Sequence, residues 1–197
     1  ALGLFYLGGD ASQVCNAGGP LALDEVILRE GSLVRPNWPA PLGMRGLTMM
    51  RTISSINGLI NAGGGGAPAS QAAYVIAIMR GTFTTKDGKD QTYLLADGLG
   101  VGYGARNFAD GIDAVYFVAQ ENYPVEFLEL GYPIHLREYG IVCDSGGAGR
   151  YRGGVGVVRE YEILADTCVL GIRIDGVENP PWGQSGGMGG RPGQIVV

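Results

Sequence analysis

The spacing of apolar residues predicts one main helix, over residues 48–62. There the apolar side chains recur every three or four positions, which places them on one helical face. These residues are Met49, Ile53, Ile56, Leu59 and Ile60. Thr48 is suited to cap the first turn, and the successive glycines of residues 63–66 end the helix.

After residue 72 the apolar residues fall in short runs bounded by glycine, proline or charged residues, which is typical of strands. Residues 82–85 and 91–95 flank Lys86-Asp-Gly-Lys-Asp90, and this arrangement predicts a hairpin. The other predicted strands are residues 21–28, 74–79, 113–119, 134–143, 155–164 and 168–174. The pattern therefore predicts an α+β fold, a β-rich single domain over residues 1–197 with one main helix and long glycine-rich loops.

Glycine occupies every second position from Gly98 to Gly104. If this stretch is extended, one of its faces carries no side chains, so that another backbone or a ligand can lie against it. The alternative is a flexible loop, and the sequence favours neither of the two.

Composition limits the classes of function. The 197 residues are 46% hydrophobic and 17% charged, with 36 glycines and a net charge of −5. All but two of the 14 basic residues are arginines, and they form no basic stripe, which argues against a nucleic-acid-binding protein. Arginine is favoured in paired, partly buried positions, so this bias indicates a chain that buries much of its surface against another surface.

The cysteines, at positions 15, 143 and 168, match neither a zinc-ligand spacing nor a small disulfide framework. We therefore expect free thiols in a reducing cytoplasm. The sequence shows no signal peptide and no apolar run long enough to span a membrane, so we expect no membrane partner. Because the chain begins without Met and ends within an apolar run, we expect a domain truncated at both ends.

The segment Asp144-Ser-Gly-Gly-Ala-Gly-Arg-Tyr-Arg-Gly-Gly154, hereafter the motif loop, lies between two predicted strands. Its glycines allow a sharp turn with exposed N–H groups, and Arg150 and Arg152 add forked positive charges. This chemistry predicts a concave, anion-binding turn. The alternative is a glycine-rich hairpin whose arginines pair with nearby carboxylates. Those carboxylates are Glu138, Glu160 and Glu162.

Asp144 and Ser145, followed by two glycines, resemble the nucleophile loop of trypsin-like proteases. That mechanism needs a histidine base and a separate carboxylate. The single histidine, His135, starts the neighbouring predicted strand, and the flanking glycine and proline of the protease loop are missing. We therefore expect Ser145 to bond to backbone at the turn.

Other common catalytic motifs do not occur. Both lysines precede aspartate, so there is no phosphate-binding Gly-x-x-x-x-Gly-Lys-Ser/Thr motif, and no Gly-x-Gly-x-x-Gly connects a strand to a helix. Glu126 and Glu129 share a face only if their segment is helical, and they would then suit acid–base chemistry. The alternative for them is pairing with Arg137 or Arg150.

Several segments together resemble the hydantoinase B/oxoprolinase family, which includes the large subunits of acetone and acetophenone carboxylases. The motif loop is similar to the most recognisable motif of that family. Further similar segments occur in family order. They are Glu30-Gly-Ser32, Gly102-Tyr-Gly-Ala-Arg106, Asp110-Gly111, Asn122-Tyr-Pro-Val-Glu126, Glu129-Leu-Gly-Tyr-Pro133 and Pro181-Trp-Gly183. Tyr123 departs from the threonine that is usual in the family.

The resemblance implies a cytoplasmic, heteromeric, ATP-dependent enzyme that acts on a small carbonyl compound, with this chain forming a stretch of the second half of its B-type subunit. The activity is either hydrolysis of a cyclic amide, such as a hydantoin or 5-oxoproline, or carboxylation of a ketone. A separate hydantoinase A-like subunit would bind ATP with Mg²⁺. Any divalent metal would lie elsewhere in the full-length subunit, so the resemblance implies that this chain itself binds no cofactor and no metal.

The candidate residues on the substrate side belong to the motif loop and to one upstream segment. They are Asn122, Glu126, Asp144, Ser145, Arg150 and Arg152. The last four shape the motif loop, and the first two lie on a segment expected to face it. No residue is assigned a catalytic role. The rival from another class is a non-catalytic scaffold that packs against the active subunits, which the incomplete catalytic set and the arginine bias favour.

Overall fold

The regular elements of the described part of the chain are two small antiparallel sheets and two helices, so the predicted α+β class is confirmed. The computed structural model describes residues 27–41, 43, 45–72, 75–116 and 121–197. In chain order the elements are α1 (Arg45–Ala62), β1 (Val75–Thr84), β2 (Asp90–Leu99), α2 (Val125–Gly131), β3 (Ile134–Ile141), β4 (Val157–Ile163) and β5 (Val169–Arg173). Within these ranges, no helix has the length and apolar character needed to cross a membrane.

The first sheet is built on the β1–β2 hairpin, whose register places Val75 opposite Leu99. β5 pairs with the other edge of β1, which gives the strand order β2-β1-β5. The predicted hairpin is confirmed, but β1 is one continuous strand where the sequence predicted two. A Cβ atom on Gly81 would lie 1.8 Å from the carbonyl oxygen of Thr167. This glycine therefore lets a neighbouring segment approach the strand without ending it.

The second sheet is the β3–β4 hairpin. The two strands pair antiparallel, from Ile134 opposite Ile163 to Ile141 opposite Val157, with one register irregularity at residues 136–138. The motif loop therefore connects the two strands of a hairpin, as predicted.

One strand prediction is not borne out, and a second lies almost wholly outside the described residues. In the described part of residues 113–119, Ala114 has a positive φ of 52°, which interrupts an extended course. Val115 makes only an isolated bridge to Val101, and the rest of that stretch lies outside the described residues. Of the strand predicted at 21–28, only the last two residues are described, and neither is in a strand.

The main core lies between the first sheet and α2. Alternate residues of β1 and β2 point into it, and side chains of α2 and β3 cover them. The buried residues of this cluster are Ala77, Met79, Tyr93, Leu95, Leu128 and Ile134. Because Ile134 is the first residue of β3, the core anchors the hairpin that carries the motif loop.

The predicted main helix is confirmed as α1 and begins at Arg45 rather than at residue 48. Of the predicted apolar stripe only Ile60 is buried, whereas Leu59 is 74% exposed and Met50, which is outside the stripe, is buried. Met50 packs against Ile76 and Tyr103. This contact brings α1 beside the segment of alternating glycines.

Candidate functional site

Glycine-rich segments stack directly on one another around the motif loop. A Cβ atom on Gly102 would lie 1.9 Å from the carbonyl oxygen of Gly154, and one on Gly104 would lie 2.1 Å from that of Ala69. No side chain fits at these distances, so the alternating glycines of residues 98–104 let other backbone segments lie against them. Of the alternatives that the sequence left open, the approach of another backbone is confirmed.

The motif loop is one of the segments that lie against residues 98–104, and we call this arrangement of backbone segments the glycine stack. The N–H of Gly154 donates to the carbonyl of Tyr103 at 2.8 Å, and the N–H of Met188 donates to the carbonyl of Ala148 at 2.8 Å. A Cβ atom on Gly147 would lie 2.1 Å from the carbonyl oxygen of Met188. Backbone contacts on two sides therefore set the course of the loop.

Ser145 joins the two strands where the motif loop begins and ends. Its hydroxyl donates to the carbonyl of Val142 at 2.8 Å and accepts the N–H of Gly156 at 2.9 Å. Asp144 has a φ of 55°, the left-handed conformation that turns the chain at the start of the loop. The expectation that Ser145 bonds to backbone is confirmed.

Arg152 is held by two carboxylates from far upstream in the chain. Its Nη1 and Nη2 atoms lie 2.7 Å and 2.9 Å from the two carboxylate oxygens of Asp113. Its backbone N–H donates to Asp110 at 2.9 Å, and the N–H of Val155 donates to Asp113 at 2.9 Å. Asp113 thus binds a side chain of the motif loop together with the backbone N–H that directly follows the loop.

The carboxylates predicted to pair with the motif-loop arginines have other neighbours. Glu162 on β4 binds Arg137 on β3 at 2.5 Å, across the hairpin. Glu138 and Glu160 lie opposite each other in the same hairpin. The prediction was wrong because it relied on closeness along the chain, whereas the glycine stack brings residues 110–113 to the loop.

Replacing Arg152 with alanine is expected to damage folding or assembly more than substrate affinity, because the guanidinium ties the motif loop to Asp113. Arg173→Ala, which removes an exposed arginine from β5, is the matched control and should have little effect. The yield of folded protein, the mass of the assembled complex and the KM would be compared. Equal yield and complex mass together with a raised KM would contradict this prediction.

Asp113 makes the free energy of unfolding depend on pH, because its pKa differs between the folded and the unfolded protein. The hydrogen bonds from Arg152 and from the N–H of Val155 lower the pKa of Asp113 from its ordinary value of 3.8 to about 2. Because the folded-state pKa is the lower one, this stabilisation is present above about pH 4 and is lost as the pH falls through the folded-state value.

In Asp113→Asn, we expect the urea midpoint to lie below that of the unaltered protein by a constant amount above about pH 4. The deficit should shrink on further acidification, because the unaltered protein then protonates Asp113 and loses the same interaction. Urea titrations of both proteins at several pH values measure this difference in midpoint. A deficit that stays the same down to about pH 2 would argue against this role of Asp113.

Asn122 and Glu126 lie on either side of Pro124, at the start of α2. Asn122 donates from Nδ2 to the hydroxyl of Tyr139 on β3. The ring of Tyr139 in turn lies 4.2 Å from the guanidinium carbon of Arg159. The side chain of Glu126 makes no hydrogen bond or salt bridge with a described residue. Asn122 is therefore linked to the β3–β4 hairpin through Tyr139.

The segment that contains Glu126 and Glu129 is helical, which is the condition for these carboxylates to share a face. Glu129 lies 2.8 Å from Nδ1 of His135 and accepts a backbone N–H of β3 at 2.9 Å. It therefore fastens α2 to β3, and the alternative of pairing with Arg137 or Arg150 is wrong for Glu129. His135, the single histidine of the chain, lies at the end of β3 away from the motif loop, so it is not beside Ser145 and the protease interpretation loses its base.

A buried ion pair that the sequence analysis missed lies beside this hairpin. Asp97 of β2 accepts from Nη1 of Arg159 at 2.5 Å and from the hydroxyl of Tyr161 at 2.6 Å. The side chains of Asp97 and Arg159 are each 1% exposed. Burial and the hydrogen bond to Asp97 raise the pKa of the Tyr161 phenol. The sign of this ion pair in the sequence is a single charged residue at the end of each of two apolar runs, Leu94 to Asp97 and Val157 to Arg159.

An open cavity of about 1470 Å³ lies between the glycine stack, the motif loop and the last glycine-rich loop, residues 180–193. Residues 147–151 of the motif loop line it, as does Trp182. Of the six candidate residues, Ser145 and Arg150 line the cavity. In the described ranges, no group of three or more His, Cys, Asp or Glu side chains is placed to hold a metal ion.

The sequence matches the model of the family described as hydantoinase B/oxoprolinase over residues 8–197. The chain belongs to this family. The resemblance drawn from the motif loop and its accompanying segments is therefore confirmed.

The similar proteins include enzyme subunits. A protein of Pseudomonas sp. (strain NS671) described as the B component of a D-/L-hydantoinase is 26% identical over 182 residues, which are 88% of this chain and 29% of that protein. The beta component of the caprolactamase of Pseudomonas jessenii is 35% identical over 89 residues, which are 43% of this chain and 15% of that protein. This hydantoinase B/oxoprolinase chain thus spans less than a third of the length of these relatives.

Among solved structures, a nucleotide-free acetone carboxylase is 21% identical to this chain. The match covers 64% of this chain and 17% of that chain, with a TM-score of 0.48. This likeness is too distant to carry an argument about fold or activity.

Proposed function

We propose that this chain is part of the B-type subunit of a heteromeric, ATP-dependent enzyme that hydrolyses a cyclic amide. The family match over residues 8–197 supports the proposal most directly. Two relatives, named as components of a hydantoinase and of a caprolactamase, support both the cyclic-amide class of substrate and the presence of a partner subunit. A hydantoinase A-like subunit would bind ATP with Mg²⁺, a divalent metal would lie elsewhere in the full subunit, and the enzyme would be cytoplasmic.

The reaction adds water to a ring amide. The water oxygen bonds to the carbonyl carbon, the C–N bond of the ring breaks, and the released nitrogen takes up a proton. The products are a carboxylate and an amine or carbamoyl group on one open chain. In this proposal the cavity beside the motif loop, with its apolar walls and Arg150, forms part of the pocket for the small molecule.

The proposal is tested on the assembled complex purified from its source. Hydantoin, 5-oxoproline and caprolactam would be offered with and without ATP, and ring-opened products would be separated by chromatography. We expect ring opening that requires ATP. In parallel, labelled bicarbonate and acetone would be supplied, and ATP-dependent fixation of the label would assign the ketone carboxylase alternative and refute hydrolysis.

A non-catalytic scaffold remains the second candidate, because Arg152 and Ser145 are both engaged in contacts that hold the motif loop together. Arg150→Gln and Glu126→Gln test this candidate, since neither side chain has a salt bridge with a described residue. Loss of turnover in either variant, with the mass of the complex unchanged, would refute the scaffold role.

A further inference from the structure

The two arginines of the motif loop differ in their partners: one is bound by a carboxylate, and the other faces the cavity. Arg152 is bound by Asp113 and does not line the cavity. Arg150 is exposed, lines the cavity, and makes no salt bridge or side-chain hydrogen bond with a described residue. Its guanidinium carbon lies 5.6 Å from the centre of the Tyr151 ring. A guanidinium stacked on an aromatic face keeps its edge donors available for a ligand.

Backbone donors accompany Arg150 at the tip of the motif loop. The N–H groups of residues 147–151 donate to no described residue, whereas every N–H of residues 152–156 has an acceptor. The tip is nevertheless held in place, because the carbonyl of Ala148 accepts the N–H of Met188 at 2.8 Å. Peptide N–H groups with no acceptor among the described residues can donate to an anion that the neighbouring guanidinium attracts. All five residues of the tip line the cavity.

We propose that residues 147–151 form a subsite for the carboxylate of a small molecule, with Arg150 as its charged donor. This inference rests on the proposed function, because opening a cyclic amide creates a carboxylate from the ring carbonyl. The planar fork of a guanidinium matches a carboxylate through two parallel hydrogen bonds. Phosphate is the other oxyanion that such a tip can accept, so the experiment separates the two.

The test measures binding to the assembled complex without ATP, so that no turnover occurs. The probe is N-carbamoylglycine, the ring-opened acid of hydantoin, titrated by calorimetry. Its uncharged amide, N-carbamoylglycinamide, is the matched ligand. We expect the acid to bind about tenfold more tightly than the amide, which corresponds to about 1.4 kcal/mol.

The variants assign this preference to one side chain. Arg150→Gln should weaken acid binding by about tenfold and leave amide binding unchanged, because it removes the charge and the fork together. Arg150→Lys keeps the charge without the fork and should recover only part of the preference. Arg173→Gln makes the same charge change on β5 outside the cavity and should bind both ligands as the unaltered complex does.

Equal acid affinity in Arg150→Gln and in the unaltered complex would overturn the subsite, as would failure of the unaltered complex to prefer the acid. Inorganic phosphate that binds more tightly than the acid, and is lost in the same variant, would overturn the assignment to carboxylate. These outcomes leave cyclic-amide hydrolysis open, since the measurement involves no reaction. Conversely, fixation of bicarbonate into a ketone would refute hydrolysis but not the subsite, because that product is also a carboxylate.

Discussion

Replacing Asp97 with alanine will lower the free energy of unfolding by about 3–5 kcal/mol, because it leaves a buried guanidinium without its counter-charge. Arg159 is 1% exposed at its side chain, so water cannot take the place of the lost carboxylate. The hydroxyl of Tyr161 also loses its acceptor, which adds to the cost. Urea denaturation at neutral pH, followed by circular dichroism, measures the change.

Two further variants separate the ion pair from general effects of substitution. Glu160→Ala removes the exposed carboxylate next to Arg159 on β4 and should change the free energy of unfolding by about 0.5 kcal/mol or less. The double variant Asp97→Leu, Arg159→Met replaces the pair by apolar side chains and should recover most of the loss. If Asp97→Ala is as stable as Glu160→Ala, the buried pair does not exist as described.

Replacing Gly102 with alanine will displace the motif loop and cost about 3 kcal/mol, the upper part of the usual range for overpacking. The new Cβ atom would lie 1.9 Å from the carbonyl oxygen and 2.5 Å from the carbonyl carbon of Gly154. Both contacts are to backbone, so no rotamer change relieves them. We expect faster hydrogen exchange at the N–H of Gly154, whose bond to the carbonyl of Tyr103 lies beside the clash.

Gly171→Ala is the matched control, because this glycine is also extended and its new Cβ atom would lie 3.9 Å from the nearest atom, an ordinary contact. Its exchange and stability should stay close to those of the unaltered protein. Unchanged exchange at Gly154 in the Gly102→Ala protein would show that the glycine stack is looser than described.

Local pattern predicted the elements that depend on residues close in the chain. α1 followed from helical periodicity and the glycines after it, and the β1–β2 hairpin followed from its turn between alternating strands. α2 covers only Val125–Gly131, which is too short for helical periodicity to reveal it. From the sequence, a helix there was only the condition under which Glu126 and Glu129 would share a face. The isolated bridge at Val115 was taken for a strand because apolar content does not report the positive φ of Ala114.

The sequence by itself determined the family, the fold class, the hairpin that carries the motif loop and the backbone role of Ser145, because these follow from short-range pattern and from motifs. Only the tertiary structure decided which arginine is bound by a carboxylate and which faces the cavity. Asp113 reaches Arg152 because glycines without side chains allow distant segments to stack, and Arg150 is left on the cavity wall. Nothing in the local sequence distinguishes two arginines that are separated by a single residue, since their surroundings come from separate parts of the chain.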